Sequence, residues 1–274
     1  MKIATYNIMS GGFSNYDKSA SAPERLPLLR SVINKIGADL IGLVDTYRWD
    51  ELYTTNDLCS LFGYRYAECI NLQDDRLRAI GHNNGLTLLS NIALHNVRVI
   101  DISDRDALVV EVMTNNGNLQ VALTYLDDLS EAVRLRQAKA LIENVNPYAP
   151  LIIMGDLNTF SLGDNTMASK ALAHFRSANQ ALLPDFDPII ADMAQGTVIE
   201  YLEQEGLIDS DHDRRPTFPT KLFPANVEQQ VLRLDYVMAT PGVSITGLVV
   251  PNNKYFDSAS DHSPIVFEAV IKTR

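Results

Sequence analysis

Apolar positions along this chain follow two rhythms, one of period two and one near 3.6, and these alternate from end to end. Ile3 to Ile8 opens as a strand. Ser21 to Glu24 reads as a capping box with Pro23 in the first turn; Leu26, Leu29, Ile33 and Ile36 then share one helical face, and Gly37 stops it. Leu40 to Val44 is an apolar strand ending at Asp45. Leu86 to Leu89, Val97 to Ile102, Ala107 to Met113 and Leu119 to Leu126 read as successive strands, with a hairpin turn at Asn115-Asn116-Gly117. A second helix starts near Ser130, buries Leu135, Ala138, Ile142 and Val145, and ends before Pro147 and Pro150. Leu151 to Met154 is a short buried strand, and Phe160 to Gly206 is mixed and helical in parts. Strands return at Leu232 to Ala239, Ile245 to Val250 and Pro264 to Ile271. Without a repeat, a low-complexity tract or a linker, residues 1–274 are expected to form one strand-rich α/β domain.

Composition narrows this picture. Hydrophobic residues make up 46% of the 274, ample for a globular core, yet no run reaches the ~18 apolar residues of a membrane span. The N-terminal apolar run is too short for a signal peptide and reads as a strand. With only Cys59 and Cys69, a reduced cytoplasmic chain is the simpler expectation, and no obligate protein partner is evident. The net charge of -11 and the absence of any Lys/Arg run argue against coating of a polyanion. They leave room for a nuclease, whose metal site needs carboxylates.

Candidate chemistry lies at strand ends, where a sheet presents functional groups. Asn7 follows Ala4-Thr5-Tyr6, Asp45 follows Leu43-Val44, and Asp156 and Asn158 follow Met154-Gly155. Asp235 sits in a mostly apolar strand, and Asp261 and His262 precede Pro264. Singly, Asn7 and Asp45 read equally as turn or capping residues, Gly155-Asp156-Leu157-Asn158 reads first as a plain turn, and His262 as a satisfied surface or core histidine. Asp235 is harder to dismiss, because a buried carboxylate needs a partner. Together the set suits phosphoester hydrolysis. Asp45 and Asp261 offer hard oxygens to Mg²⁺ or Mn²⁺. Asp156 can orient or deprotonate a water, Asn158 and His262 can donate to phosphoryl oxygens, and Asp235 can hold the imidazole cationic.

The ordered segments Ala4-Thr5-Tyr6-Asn7, Asp39 to Asp45, Gly85 to Ser90, Leu123-Thr124-Tyr125-Leu126-Asp127, Gly155-Asp156-Leu157-Asn158, Arg233-Leu234-Asp235-Tyr236 and Ser260-Asp261-His262 resemble the endonuclease/exonuclease/phosphatase superfamily. Its members include DNase I-like nucleases, abasic-site endonucleases, inositol polyphosphate 5-phosphatases and neutral sphingomyelinases. Arg134 to Leu141 and Pro216-Thr217-Phe218-Pro219 look like segments of its bacterial members. The resemblance implies a four-layer α/β sandwich: two packed mixed or antiparallel sheets flanked by helices. It implies a divalent-metal-dependent phosphoester hydrolase working by in-line attack of a water. Asp45 would be the metal ligand with Asn7 and Asp261 beside it, and Asp156 would position the water. Asn158 would contact the phosphoryl group, and Asp235 would pair with His262. The substrate would be a phosphorylated small molecule, a lipid headgroup or a nucleic acid.

Two departures stand out. Asp45 occupies a position where the family usually has Glu, one methylene longer. Tyr125 stands where phosphatase-like members have His; abasic-site endonucleases place a Tyr there, but follow it with Pro-Asn, whereas this chain has Leu126-Asp127. Tyr125 reads either as a donor to a phosphoryl oxygen or as a core aromatic. An abasic-site-type or other DNA endonuclease, and a weakened member that binds a phosphorylated ligand or a protein partner, are the alternatives. Among the remaining polar residues, Asp209, Asp211, His212 and Asp213 read as a solvated acidic loop before a second metal site. His82-Asn83-Asn84 reads equally as turn or substrate contact, and His95 and His174 as surface residues. Tyr47, Arg48 and Trp49 read as cleft or core, and Arg76 with Arg78 as the best candidate for a basic rim.

Overall fold

The computed structural model describes residues 1–14, 20–72, 74, 79, 83–164, 169–170, 173, 183–223 and 230–273, with backbone alone for 183–186. Twelve strands appear among them: β1 Lys2–Asn7, β2 Leu40–Val44, β3 Tyr66–Asn71, β4 Gly85–Ser90, β5 Leu94–Asp101, β6 Asp106–Thr114, β7 Gly117–Tyr125, β8 Leu151–Asp156, β9 Ile208–Asp209, β10 Asp235–Ala239, β11 Val243–Val249 and β12 Ile265–Ile271. They form two six-stranded sheets, ordered β11-β12-β1-β2-β4-β3 and β5-β6-β7-β8-β10-β9. Each sheet is mixed: β1 with β2 and β7 with β8 are parallel, and every other pairing is antiparallel.

The helices are α1 Leu26–Ile36, α2 Trp49–Leu52, α3 Thr55–Phe62, α4 Glu131–Asn144, α5 Leu183–Met193 and α6 Thr197–Gln204. Both parallel pairs are joined through a helix, α1 and α4, as a parallel connection requires. Leu29, Val32 and Ile33 of α1 and Leu58 and Phe62 of α3 cover the outer face of the first sheet. Ala138, Leu141 and Ile142 of α4 and Val198, Ile199 and Leu202 of α6 cover that of the second. The result is the expected four-layer α/β sandwich of two mixed sheets flanked by helices. None of the described helices is long and apolar enough to cross a membrane.

Side chains alternate along each strand, so Ile3, Leu40, Leu86, Leu88, Leu123, Ile152 and Met154 fill the space between the sheets. Gly42 of β2 faces the second sheet with no room for a side chain. A Cβ there would sit 2.6 Å from Leu123 Cδ1 and 2.8 Å from Met154 Cε. Overpacking of that kind costs about 1–3 kcal/mol.

The sequence periodicity places most strands within a few residues, and misses others. β3 is an edge strand with a weak alternation, and β9 is two residues long. The capping box at Ser21 to Glu24 does not form: α1 begins after Arg25, which has no side-chain cap, and Gly37 ends it in the left-handed conformation. The buried stripe of α4 is also not the apolar one expected. Glu131, Arg134 and Gln137 are buried along with Ala138, Leu141 and Ile142, while Leu135 is half-buried. Glu131 accepts from Arg134 Nε at 2.8 Å, from Thr159 and Thr197 hydroxyls and from Val198 N, so the polar side of α4 is a tertiary lock. The cysteines are not disulfide-bonded.

Candidate active site

β1, β2, β7 and β8 all end at one edge of the sandwich, and β10 and β12 start there. In register, Tyr125 lies opposite Asp156, and Asp156 opposite Asp235, so the three form one row across β7, β8 and β10. Asp235 is therefore the first residue of its strand and not an interior one. Gly155, opposite Thr124, lets the end of β8 lie close against β7. Its φ is 138°, and a Cβ would lie 2.0 Å from the Thr124 carbonyl oxygen, so no side chain fits.

Two hydrogen bonds cross from sheet to sheet at this edge. Asn7 Nδ2 donates to Asp156 Oδ2 at 2.9 Å, and its Oδ1 accepts from Met9 N at 3.0 Å. His262 Nδ1 lies 2.7 Å from Asp235 Oδ2, although 27 positions separate the two residues. His262 Nε2 faces Asp156 Oδ2 at 3.8 Å. Asp156 and Asp235 are each 1% exposed and His262 5%. Asn158 folds back: its N–H donates to Asp156 Oδ1 at 3.0 Å, and its Nδ2 to Leu126 O at 3.0 Å. Asp235 Oδ1 is buried and accepts no hydrogen bond among the described residues. The Pro216-Thr217-Phe218-Pro219 segment packs against both partners of the pair. Thr217 Oγ1 accepts from Leu234 N and Asp235 N, its carbonyl from Ser263 N, and the Phe218 ring packs on His262 with centroids 4.8 Å apart.

The electrostatics follow from burial and neighbours. Burial alone pulls the His262 imidazole down, but the Asp235 carboxylate, by charge and by hydrogen bond, outweighs it and holds the ring cationic well above its ordinary value. Burial first, and the charge of Asp235 second, push the Asp156 carboxyl upward, with His262, Asn7 and the Asn158 N–H opposing. A carboxyl beside a fixed cation and short of solvent can exchange a proton near neutrality.

The remaining expected residues lie around this core. Asp45 has φ 60°, and its Oδ2 accepts from Ser10 N at 2.7 Å. Asp261 is half-buried; its Oδ1 accepts from Ser260 Oγ at 3.3 Å, and its carbonyl from Thr220 N at 2.7 Å. Among the described residues, Asp156, Asp235 and His262 form a tight group of acidic and imidazole donors, with ligand atoms within 4.8 Å of one another. Tyr125 is 9% exposed and packs in the inter-sheet core under the guanidinium of Arg105. Tyr47 and Trp49 are core; Trp49 Nε1 donates to Gly11 O at 2.8 Å and its ring stacks on Phe62. Arg48 pairs with Glu51 at 3.2 Å, and Asn83 also bonds Glu51. His212 and Asp213 are exposed, as a solvated loop would have them, whereas Asp209 and Asp211 are covered and held by arginines. Arg233 pairs with Asp209 at 2.7 Å, and Arg215 with Asp211 and Asp213. His95 is exposed. His82, His174, Arg76 and Arg78 lie outside the described residues.

Sequence reasoning passed over Arg25 and Arg105. Arg25 donates to the carbonyls of Ile8, Met9, Phe13 and Ala259, and its charge lies in the field of Asp261 and Asp45. Neither arginine sits in a motif, and only the tertiary fold brings them to the site.

The sequence from residue 4 to residue 262 matches the model of the endonuclease/exonuclease/phosphatase family. The chain belongs to that family. No protein of curated function matches it in sequence. Solved structures share the fold. A family member from Beutenbergia cavernae is 18% identical with a TM-score of 0.70, over 98% of this chain and 71% of its own. The 3′ phosphatase NExo from Neisseria, bound to a product DNA hairpin, is 14% identical with a TM-score of 0.65, over 98% of both chains. A mannosyl-6-phosphatase from Bacteroides thetaiotaomicron is 13% identical with a TM-score of 0.61, over 99% of this chain and 100% of its own. This family member thus has phosphatase structures among its neighbours, one of them bound to DNA.

Proposed function

We propose that this family member is a divalent-metal-dependent phosphoester hydrolase that acts by single in-line attack of a water. The observation that carries the reading is the buried pair of cross-sheet hydrogen bonds, Asn7 to Asp156 and His262 to Asp235, with His262 Nε2 3.8 Å from Asp156. Asp156 orients the water and takes its proton, a role its raised pKa allows. His262, kept cationic by Asp235, donates through Nε2 to a phosphoryl oxygen where negative charge accumulates. Asn158 and Tyr125 hold the non-reacting phosphoryl oxygens.

The donor set suits a hard cation, being two carboxylates and an amide oxygen: Asp45, Asp261 and Asn7. His262 is assigned away from it because a cationic imidazole has no lone pair to offer a metal, and Asp235 because its Oδ2 is engaged by that ring at 2.7 Å. When bound, Mg²⁺ or Mn²⁺ supplies charge neutralisation at the phosphoryl group. Arg25, whose charge lies in the field of the same carboxylates, fits a modest affinity for the ion.

A small or locally presented phosphoester is the proposed substrate. The net charge is -11. Arg25, Arg105, Arg134 and Arg233 are largely or fully buried and hold internal carbonyls and carboxylates, so none of these cations is available to a polyanion. The test is turnover of bis-p-nitrophenyl phosphate and of p-nitrophenyl phosphate with Mg²⁺, Mn²⁺ or EDTA. Metal-dependent release of nitrophenol that vanishes in His262→Ala supports the reading; equal rates in wild type and variant sink it.

A further inference from the structure

We infer that Arg105 is a positioning residue that sets substrate affinity by fixing Tyr125 and Asn158 from behind. The inference rests on the reading of those two residues as phosphoryl contacts. Arg105 directly precedes β6 and is 1% exposed. Its Nε donates to Asp74 Oδ2 at 3.0 Å and its Nη2 to Asp128 Oδ1 at 2.9 Å. Its Nη1 donates to Leu126 O at 2.6 Å and reaches Tyr125 O at 3.2 Å. The guanidinium carbon lies 4.5 Å from the centre of the Tyr125 ring, a cation–π contact.

The Leu126 carbonyl is the hinge of the argument. It accepts from Arg105 Nη1 and from Asn158 Nδ2, while Leu126 N donates to Asp156 O at 3.0 Å. One buried guanidinium therefore clamps the end of β7, one face of the Tyr125 ring, and the acceptor that fixes the Asn158 amide. Asp74 joins this clamp to the segment between β3 and β4 in the other sheet. Three of the fork's nitrogens have directed partners, a geometry that an ammonium cannot reproduce. Arg105 itself does not touch the water-orienting carboxylate: Asp156 Oδ2 accepts from Asn7 and Oδ1 from the Asn158 N–H, the clamp meets Asp156 through the backbone bond from Leu126 N, and neither Asp235 nor His262 hydrogen-bonds Arg105. The clamp thus governs binding of the phosphoryl group, which is common to ground state and transition state, and uniform binding appears in KM and not in kcat.

The experiment is steady-state kinetics on bis-p-nitrophenyl phosphate with Mn²⁺ for Arg105→Lys, Asp128→Asn, Tyr125→Phe, Asn158→Ala and the double variant Arg105→Lys/Tyr125→Phe. Arg105→Lys is expected to raise KM about tenfold or more while kcat stays within about threefold. In the double variant the KM rise should fall short of the product of the single rises, because both changes act on one ring. An unchanged KM in folded Arg105→Lys overturns the inference. So does a loss confined to kcat, or single effects that multiply independently, as a merely structural role would give. Should Arg105→Lys fail to fold, Asp128→Asn decides: it removes only the more exposed partner and should raise KM in the same direction by a smaller factor, and no rise overturns the inference. Asp156→Asn and His262→Ala run in parallel. Wild-type turnover in those two fails the reading of the site itself, whereas their inactivity with an unchanged KM in Arg105→Lys fails only the role given to Arg105.

Discussion

Asp235→Asn separates charge from shape at the centre of the site. The wild-type pair is buried, with Nδ1 and Oδ2 2.7 Å apart. Burial by itself would lower the imidazole, yet it stands at about 10, chiefly because of Asp235. Against an ordinary value near 6.5 and ~1.4 kcal/mol per unit, the pair favours the cation by several kcal/mol. With the carboxylate replaced by an amide, burial is left with only weaker opposition from Asp156 and Asp261, and His262 becomes neutral around pH 7. A neutral ring cannot offer its full charge to a phosphoryl oxygen, and turnover should drop by about 10²–10⁴-fold. The stability consequence has a definite sign. A group raised by folding contributes stability that is complete below its unfolded value near 6.5 and is lost as pH climbs through its folded one. The wild-type Tm should therefore fall between pH ~6.5 and the folded value of about 10, and Asp235→Asn should flatten that decline. Imidazole NMR titration, pH–rate profiles and thermal melts measure all three. An imidazole that titrates as in wild type after the substitution, or an unaltered rate, would refute the reasoning.

Other outcomes follow from the same geometry. Asp156→Asn should cut turnover by about a hundredfold or more. It should keep its fold, because burial already disfavours the charge it removes; a melt equal to wild type with near wild-type rates would take Asp156 out of the mechanism. Asp45→Ala should abolish Mn²⁺ binding by titration calorimetry, and an unchanged affinity would place the ion elsewhere. Plasmid and abasic-site duplex DNA should be poor substrates at low salt; efficient metal-dependent nicking that falls steeply with NaCl would replace the small-substrate reading with a nuclease.

The sequence was informative where chemistry sits at strand ends, and blind where tertiary contact decides. Asp235 needed a donor and His262 an orienter, and that complementarity made their pairing readable across 27 positions. The same reasoning about Asp45 and Asp261 foresaw two carboxylates but not the guanidinium beside them, since nothing in Pro23-Glu24-Arg25 says that the side chain turns inward. Hydrophobic periodicity misread α4, because its buried face is partly an ion pair, Glu131 with Arg134. It missed β3, an edge strand whose residues are mostly only half covered. The acidic run after Ile208 looked solvated because its arginine partners lie later in the chain, and Arg233 reaches it only through folding.

Gly42 gives the site an unexpected control. The two hydrogen bonds of the proposed site each have one end in either sheet, so their lengths depend on the gap between the sheets. Across that gap Gly42 meets Leu123 and Met154. A methyl group added there would act as a shim, with no polar residue altered and the reacting groups drawn out of reach. A loss of activity in Gly42→Ala would then come from the volume of the core, with every candidate catalytic residue unchanged.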